Sequence, residues 1–480
     1  MNDLFLCLPV LLPIAAGFAG YAIPFKTRRA RSAYYGAVIS LTAVLAWAGI
    51  LLCRGEAVKL LTFTESAALV FRMDGAGKLF SGLAAALWPF TMVYAFDYMR
   101  HEEHLPMFWC FFTAVFGITL GIAWAGNLLT MYLFYELLTL ATIPLVMHAM
   151  HKKAVRAGIK YALYSMIGAA LAFIALVYCM VSGADVFAPG GHALTGRYAA
   201  AVFVLGFVGF GAKAAIWPLH SWLPSAAVAP TPVTALLHAV AVVKAGAFAC
   251  IRLTYYVFDS ALLTGTWAQT AVMALSIFTL LFGSCMALKQ QHLKRRLAYS
   301  TVSNLSYILF AVTLMSPLGL LAAFLHMIVH SVIKILAFFN AGSVLHYAHR
   351  EWLSELEGLG RRMPWTFGCF TAAACALTGI PAFNGFVSKW YLALAAVENP
   401  HPLAIWGFGA LLVSALLTAV YMFQIVIRAW FPRRDLPLPE NAHEAGPLMV
   451  VPMVLLAAMC VLGGIAPGWL LDIIGKAVGV

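Results

Sequence analysis

Apolar runs of roughly 17 to 25 residues recur along the whole chain, separated by short polar loops, and each run can cross a hydrocarbon core of about 30 Å as a helix. The pattern predicts about 14 spans, near 3–24, 33–53, 79–98, 106–124, 127–149, 159–181, 201–219, 237–257, 268–288, 297–315, 319–345, 366–396, 402–427 and 446–471. No polar segment between them is long enough to fold separately. The fold class expected is therefore an all-α polytopic membrane protein, with residues 1–480 forming a single membrane domain. The first run has no basic residue ahead of it and no small-residue cleavage site, so it reads as a retained helix rather than a signal peptide.

Composition strengthens this reading. Of 480 residues, 63% are hydrophobic and only 10% charged, with a mean hydropathy of +0.91, whereas about a quarter of residues are charged in soluble domains. The formal charge of +12 does not point to nucleic acid, because the basic residues sit in short loops, where they set topology. With the N-terminus outside, the basic clusters at 26–32, 151–160, 289–296, 349–362 and 428–435 all fall on the cytoplasmic side. Only Arg54, Lys59, Arg72, Lys78, Arg197 and Lys476 fall outside. That asymmetry predicts both termini outside, in a membrane of the prokaryotic cytoplasmic type. The nine cysteines are scattered with no Cys-x-x-Cys pair, so they read as packing residues, and no iron–sulfur, zinc or other cofactor is expected.

Five basic residues remain inside predicted spans: Lys213, Lys244, Arg252, Lys334 and Lys389. Arg252 is near enough to a span end to snorkel. Among the acids, Glu136 lies at mid-depth and Asp97 close to a helix end. An ionisable group at the bilayer centre costs about 2.5 to 3.5 kcal/mol on insertion scales, so a set of them implies a use. Desolvation favours a neutral amine and a nearby carboxylate favours the ammonium, which makes a lysine facing a carboxylate a proton switch. Glu136 in "MYLFYELLTL" and Lys213 in "FGAKAAIWP" are the candidates for such a pair. His326, His330 and Lys334, in "HMIVHSVIKILAFF", follow at intervals of four and share a helix face over about two turns. Zinc chelation and plain buried histidines are alternative readings of that row. The Glu of His-Glu-x-x-His is replaced by Met327 and no third ligand stands nearby, so no metal is expected and a polar conduction path is favoured.

Two spans are interrupted. The seventh runs into "WPLHSWLPSAAVAPTPVTALLH", with Pro218, Pro224, Pro230 and Pro232, and the twelfth contains "LTGIPAFNGFVSKW", with Gly379, Pro381 and Gly385. Lys213 and Lys389 stand close to these breaks. Interrupted helices at membrane depth line cavities, and a pair of them in corresponding positions points to inverted repeats. Two unrelated proline kinks remain the alternative. The repeat reading divides the chain into N-terminal helices 1–3 (1–105), a first five-helix repeat (106–257, spans 4–8), a second (268–427, spans 9–13) and a C-terminal helix (446–480).

"WLPSAAVAPTPVTALLHAVAVVKAG" (222–246), "LKRRLAYSTVSNLSY" (293–307), "HMIVHSVIKILAFFNAGSVLH" (326–346) and "GIPAFNGFVSK" (379–389), in that order, resemble the antiporter-like subunits of proton-translocating complexes. That family spans respiratory complex I, membrane-bound hydrogenases and multi-subunit Mrp-type antiporters, and the likeness covers about residues 70 to 420. The resemblance implies fourteen helices, inverted repeats and a hydrated polar axis along the membrane midplane. It also implies a coupling pair at Glu136 and Lys213, a central Lys244 with His238 beside the path, a relay at His326, His330 and Lys334, and an exit-side Lys389. Two positions depart from it: Ser225 stands where many relatives have an acid after "WLP", and His292 where many have Asp before "LKR". Since Val480 follows the last span closely, the resemblance leads to the expectation of a middle-type or single-pump subunit without a long lateral helix.

The function expected is movement of protons across a membrane, driven by redox chemistry in other subunits. Partners expected are antiporter-like paralogues, small hydrophobic subunits, peripheral redox subunits and the bilayer, with no nucleic acid. A subunit of a sodium/proton antiporter without a redox arm is the alternative. A stand-alone solute carrier or a passive anchor for a hydrogenase fits less well, because the buried cations stand in series and an anchor has no need of Glu136 and Lys213.

Overall fold

A computed structural model of the chain describes residues 2–53, 55–64, 67–432 and 442–479, with backbone alone at 2–5. Arg54, residues 433–435 of the last basic loop and Val480 lie outside the described residues. The chain begins with α1 (Asn2–Ala22) and α2 (Arg28–Leu52), followed by a two-stranded antiparallel hairpin, β1 (Ala57–Thr64) and β2 (Ala67–Arg72). Then come α3 (Gly75–Tyr98), α4 (Leu105–Ala123), α5 (Leu128–Val146), α6 (Lys152–Val181), α7 (Ala199–Gly211), α8 (Trp222–Ala226), α9 (Thr231–Ala239) and α10 (Val242–Arg252). A short α11 (Ser260–Leu263) leads to α12 (Trp267–Lys289), α13 (Leu293–Thr313), α14 (Pro317–Ala348), α15 (Pro364–Thr378), α16 (Asn384–Val397), α17 (Pro402–Trp430), α18 (Pro447–Ile465) and α19 (Gly468–Val478). Ten helices among the described residues are long and apolar enough to cross a membrane. The chain is thus an integral membrane protein of polytopic helical type.

The hairpin is a small addition to the expected helical fold that the span pattern did not predict. Its strand Ala67–Arg72 docks on the start of α5, where the Val70 N–H donates to Thr130 Oγ1 (2.8 Å) and the Asn127 amide donates to the Ala68 carbonyl (2.9 Å). Asn127 also caps α5, its Oδ1 accepting from the Thr130 N–H at 2.9 Å.

The breaks differ in position from those read off the prolines. α7 ends at Gly211, and Lys213 stands in the turn beyond it. Pro218, joined to Trp217 by a cis bond, lies in the irregular connection, and Pro224 lies in the five-residue α8. Pro230 precedes α9 and Pro232 occupies its first turn, where a missing N–H removes no helical bond. A second interruption, at Val240 and Ala241, separates α9 from α10 with neither proline nor glycine to announce it. In the second half, α15 stops at Gly379, whose φ of +92° reverses the chain, and Pro381 follows before α16 resumes. Gly385 is required by close approach: a Cβ there would sit 1.7 Å from the Ala376 carbonyl oxygen.

α14 occupies the middle of the bundle. It is 32 residues long, is buried along almost all its length, and packs against α9, α13, α15, α16 and α18. Arg252, at the end of α10, does not snorkel. It is fully buried and forks onto Asp74, the N-cap residue of α3, at 2.5 and 2.6 Å, with the rings of Phe187, Phe248 and Tyr256 around its guanidinium. Burial alone would raise the Asp74 carboxyl, but the Arg252 guanidinium outweighs it and holds the group below the usual carboxylate range.

Removing one partner of such a pair leaves a buried charge unmatched, so Asp74→Asn is expected to destabilise the chain by about 3 kcal/mol or more, read as a fall in thermal midpoint in detergent. Because the folded carboxyl titrates below its unfolded value, this stabilisation is complete above the ordinary carboxylate range. It is lost as pH falls through the lowered value, and a midpoint indifferent to acid would contradict the assignment.

Candidate functional site: a buried row of amines and imidazoles

The turn after α7 delivers Lys213 to the flank of α5. Its Nζ donates to the Tyr135 carbonyl, lies 3.3 Å from the centroid of the Tyr135 ring, and stands 3.6 Å from Glu136 Oε1. The Glu136 contact is a charge pair rather than a hydrogen bond, since the same oxygen has no hydrogen-bond donor. Lys213 is 1% exposed, whereas the Glu136 side chain is 28% exposed, on a face shared with exposed Leu133, Leu137 and Leu140. Lys213 is therefore sealed, while the Glu136 side chain reaches the surface of the chain with its Oε1 turned inward and buried. α10 presses on this turn through Gly246, where an added Cβ would lie 2.5 Å from the Ala214 nitrogen and 2.9 Å from the Lys213 carbonyl carbon.

The second cluster forms where α10, α14 and α16 meet. Lys244 Nζ is 2.6 Å from His330 Nδ1, both groups fully buried. The His326 and His330 rings stack with centroids 5.8 Å apart, and His326 Nδ1 lies 3.0 Å from Ser388 Oγ on α16. The residue after Ser388 is Lys389, whose Nζ donates to the carbonyls of Leu377 (2.7 Å) and Thr378 (2.9 Å). These are orphan acceptors at the C-terminal end of α15, where a cation also complements the helix dipole. Tyr307 completes the corner, its ring 5.2 Å from that of His326 and 5.5 Å from Lys389 Nζ.

Lys334 does not continue the line of the histidines. It turns to α13, where its Nζ donates to the Leu297 carbonyl (3.1 Å) and to Ser300 Oγ. His238, fully buried at the end of α9, packs its ring 4.7 Å from that of Phe338, and neither ring nitrogen has a hydrogen-bond partner. His326 Nε2 and His330 Nε2 are likewise buried without partners. Buried imidazole nitrogens normally find a donor, an acceptor or an ordered water. Their clustering marks a polar stretch of the interior between Lys244 and Lys389. Among the described residues, no three His, Cys, Asp or Glu side chains converge as metal ligands would.

The structure thus assembles Glu136 with Lys213, and Lys244 with His330, His326 and the Ser388–Lys389 corner, while Lys334 and His238 stand beside the second group. Pro218, Pro224, Pro230 and Pro232 shape the segment after Lys213, and Gly379, Pro381 and Gly385 shape the one before Lys389. Sequence reasoning missed Tyr135, Ser300, Tyr307 and Ser388. For Ser388 a signal existed, since a serine beside an intramembrane lysine sits at a helix break.

Comparison with known proteins gives a consistent picture. The sequence profile of the family described as "NADH:quinone oxidoreductase/Mrp antiporter, TM" matches residues 125–418. The chain is 32% identical over 95% of its length to a probable K(+)/H(+) antiporter component of Rhizobium meliloti, spanning 46% of that protein. It is 32% identical over 85% of its length to hydrogenase-4 component B of Escherichia coli, spanning 64% of it. With an NADH-quinone oxidoreductase subunit of Desulforudis audaxviator it shares 33% identity over 80% of this chain and 78% of that one. The chain therefore spans about half to two thirds of the first two relatives. Two solved structures share the fold over 99% of this chain. One is from an archaeal membrane-bound sulfane sulfur reductase, a respiratory membrane complex (TM-score 0.87, 21% identity, 97% of that chain). The other is from the Mrp complex of Dietzia sp. DQ12-45-1b (TM-score 0.86, 20% identity, 96% of that chain).

Ser388→Ala removes the hydroxyl that faces His326 and leaves the Lys389 contacts with α15 in place. It is expected to cost about 1 kcal/mol of stability at most and to slow proton transfer several-fold in proteoliposomes carrying a pH-sensitive dye. Flux equal to that of the parent would remove Ser388 from the path. Gly385→Ala, by contrast, is expected to lower thermal stability and flux together, because the start of α16 must move off α15.

Proposed function

The chain belongs to the NADH:quinone oxidoreductase/Mrp antiporter transmembrane family, and from that membership and the buried row we propose that it is the proton-translocating, antiporter-like membrane subunit of a multi-subunit redox-driven ion pump. The observation that carries the proposal is the joined set Lys244–His330–His326–Ser388–Lys389. It is a series of proton-binding groups on the continuous α14 and on α10 and α16, two helices that restart after a break, with the Glu136–Lys213 pair on the other side of Gly246.

The topology that goes with it has fourteen crossings. The ten long helices are joined by α1, α7, α13 and the interrupted α15–α16. Spans 4–8 and 9–13 then form two inverted repeats, each interrupted near a lysine, and both termini lie outside a prokaryotic cytoplasmic membrane. The distribution of Lys and Arg among the loops supports this orientation. The 28% exposure of Glu136 supports a role for a neighbouring membrane protein of the complex, which can approach the carboxylate without entering the chain. Separating or joining Glu136 and Lys213 changes the balance between ammonium and amine at Lys213. The next proton then passes to Lys244 and through the imidazoles to Lys389. Partners under this reading are antiporter-like paralogues, small hydrophobic subunits and peripheral redox subunits.

A second reading is a component of an Mrp-type sodium/proton antiporter with no redox arm. The relative that aligns with 95% of this chain, a probable K(+)/H(+) antiporter component, favours it. Co-purification decides between the two: iron–sulfur and nickel–iron or flavin subunits support the pump, and small hydrophobic partners alone support the antiporter.

Lys213→Ala is expected to abolish proton translocation by the reconstituted complex while leaving its assembly intact; unchanged pumping would sink the proposal. His330→Ala is expected to slow proton transfer without releasing any metal. Stoichiometric zinc on the parent protein that this change removes would replace the relay with a metal site.

A further inference from the structure

At the face that carries the basic loops, the starts of α6 and α13 open onto one cleft of about 350 Å³. Lys153, Arg156, Lys160, Lys294 and Arg295 line it, and Glu351 is the one acid among the lining residues. That acid is already engaged, its Oε2 3.2 Å from His292 Nε2. Burial holds the His292 imidazole below its ordinary value despite Glu351, so the positive charge of the cleft comes from the lysines and arginines. The two helix ends reinforce it. α6 begins at the cleft, capped by His151 Nδ1, and α13 starts there at Leu293, whose N–H donates to the Glu351 carbonyl at 2.8 Å. Ser225, the departure after "WLP", also lines the cleft and accepts a hydrogen bond from Lys160 Nζ at 3.2 Å. An acid at 225 or 292 would neutralise much of this charge; here neither position supplies one.

The basic cleft does not stand alone. On α6, the turns that follow Arg156 and Lys160 expose Ile159, Leu163, Met166 and Ile167, each at least half exposed. Their spacing of three and four places them on one side of the helix, running from the cleft towards the membrane interior. A concentrated positive site at headgroup level, with an unpartnered apolar stripe leading away from it, matches a molecule with an anionic head and long hydrocarbon tails.

We propose that this cleft is a binding site for an anionic phospholipid, with the headgroup phosphate held by Arg156, Lys160 and Arg295 between the starts of α6 and α13, and an acyl chain lying along Ile159, Leu163 and Met166. The site is independent of which ion the chain moves. Basic pockets between helices bind anionic headgroups, so three cations distinguish an anionic from a zwitterionic lipid.

The test uses the purified full-length chain, stripped of lipid in detergent, offered equimolar phosphatidylglycerol and phosphatidylcholine, with bound lipid counted by native mass spectrometry. The expected result is retention of phosphatidylglycerol over phosphatidylcholine by about tenfold or more, falling towards parity at high salt. The preference should also be lost in the Arg156→Gln, Lys160→Gln, Arg295→Gln triple variant. The Arg361→Gln, Arg362→Gln variant, outside the cleft, should keep it. The salt series on the parent protein needs no variant, so the proposal stays open to refutation if the triple variant does not fold. Equal retention of both lipids by the parent, or an unchanged preference in the folded triple variant, overturns it. Displacement of phosphatidylglycerol by an equal concentration of inorganic phosphate identifies a free-anion site instead. Absence of excess phosphatidylglycerol from the assembled complex, with Arg156 shielded from arginine-modifying dicarbonyls by a neighbouring protein, assigns the cleft to a protein partner.

Discussion

Each buried amine in this chain needs an oxygen or nitrogen acceptor in a place where water is scarce, and the bundle is arranged around meeting that need. Three of the four intramembrane lysines have no carboxylate within ion-pair distance among the described residues. Lys244 uses an imidazole, Lys334 uses a helix carbonyl and a serine, and Lys389 uses the two carbonyls left open where α15 stops. Only Lys213 stands beside a carboxylate, and even its hydrogen bond goes to the Tyr135 carbonyl. A row of basic groups met by neutral acceptors contrasts with the bidentate lock of Arg252 on Asp74.

That contrast separates two kinds of buried charge in one protein. Arg252 and Asp74 share two short hydrogen bonds at the end of α10 and tie α3 to the bundle. Such a pair is costly to break and has no reason to titrate during work. The amines and imidazoles near α14 have one or two neutral partners each, and among the described residues His326 Nε2 and His330 Nε2 have none. The fold fixes the first kind at the end of α10 and gathers much of the second around α14, its longest helix.

The polytopic helical membrane fold was legible in the sequence, because apolar spans follow from run length, a local property. The candidate charges were legible for the same reason: a lysine or glutamate inside an apolar run is conspicuous. What could not be read was partnership. Ser388 faces His326 across 62 positions and Asp74 meets Arg252 across 178, and no local pattern encodes either. The spacing of His326, His330 and Lys334 correctly implies a shared helix face, but the direction of the Lys334 side chain is set by acceptors on α13. The interruption at Val240 and Ala241 was invisible because "LLHAVAVVKAG" contains no breaker at that point, and only tertiary contacts with neighbouring helices impose it. The β1–β2 hairpin was missed because its alternation is weak and its stability comes from docking on α5.

The contact between Lys389 and the last carbonyls of α15 has a mechanical side. A cation at a helix C-terminus steadies that end by about 0.3 to 1 kcal/mol when exposed and up to about 2 when partly buried. The interruption from Gly379 to Phe383 is held on one side by this charge and on the other by the close seat of Gly385. Under the proposed relay, the departure of charge from Lys389 both passes a proton onward and loosens the end of α15. Occupancy and compliance become one variable there, so the break can act as a spring whose stiffness is set by whether a proton is present.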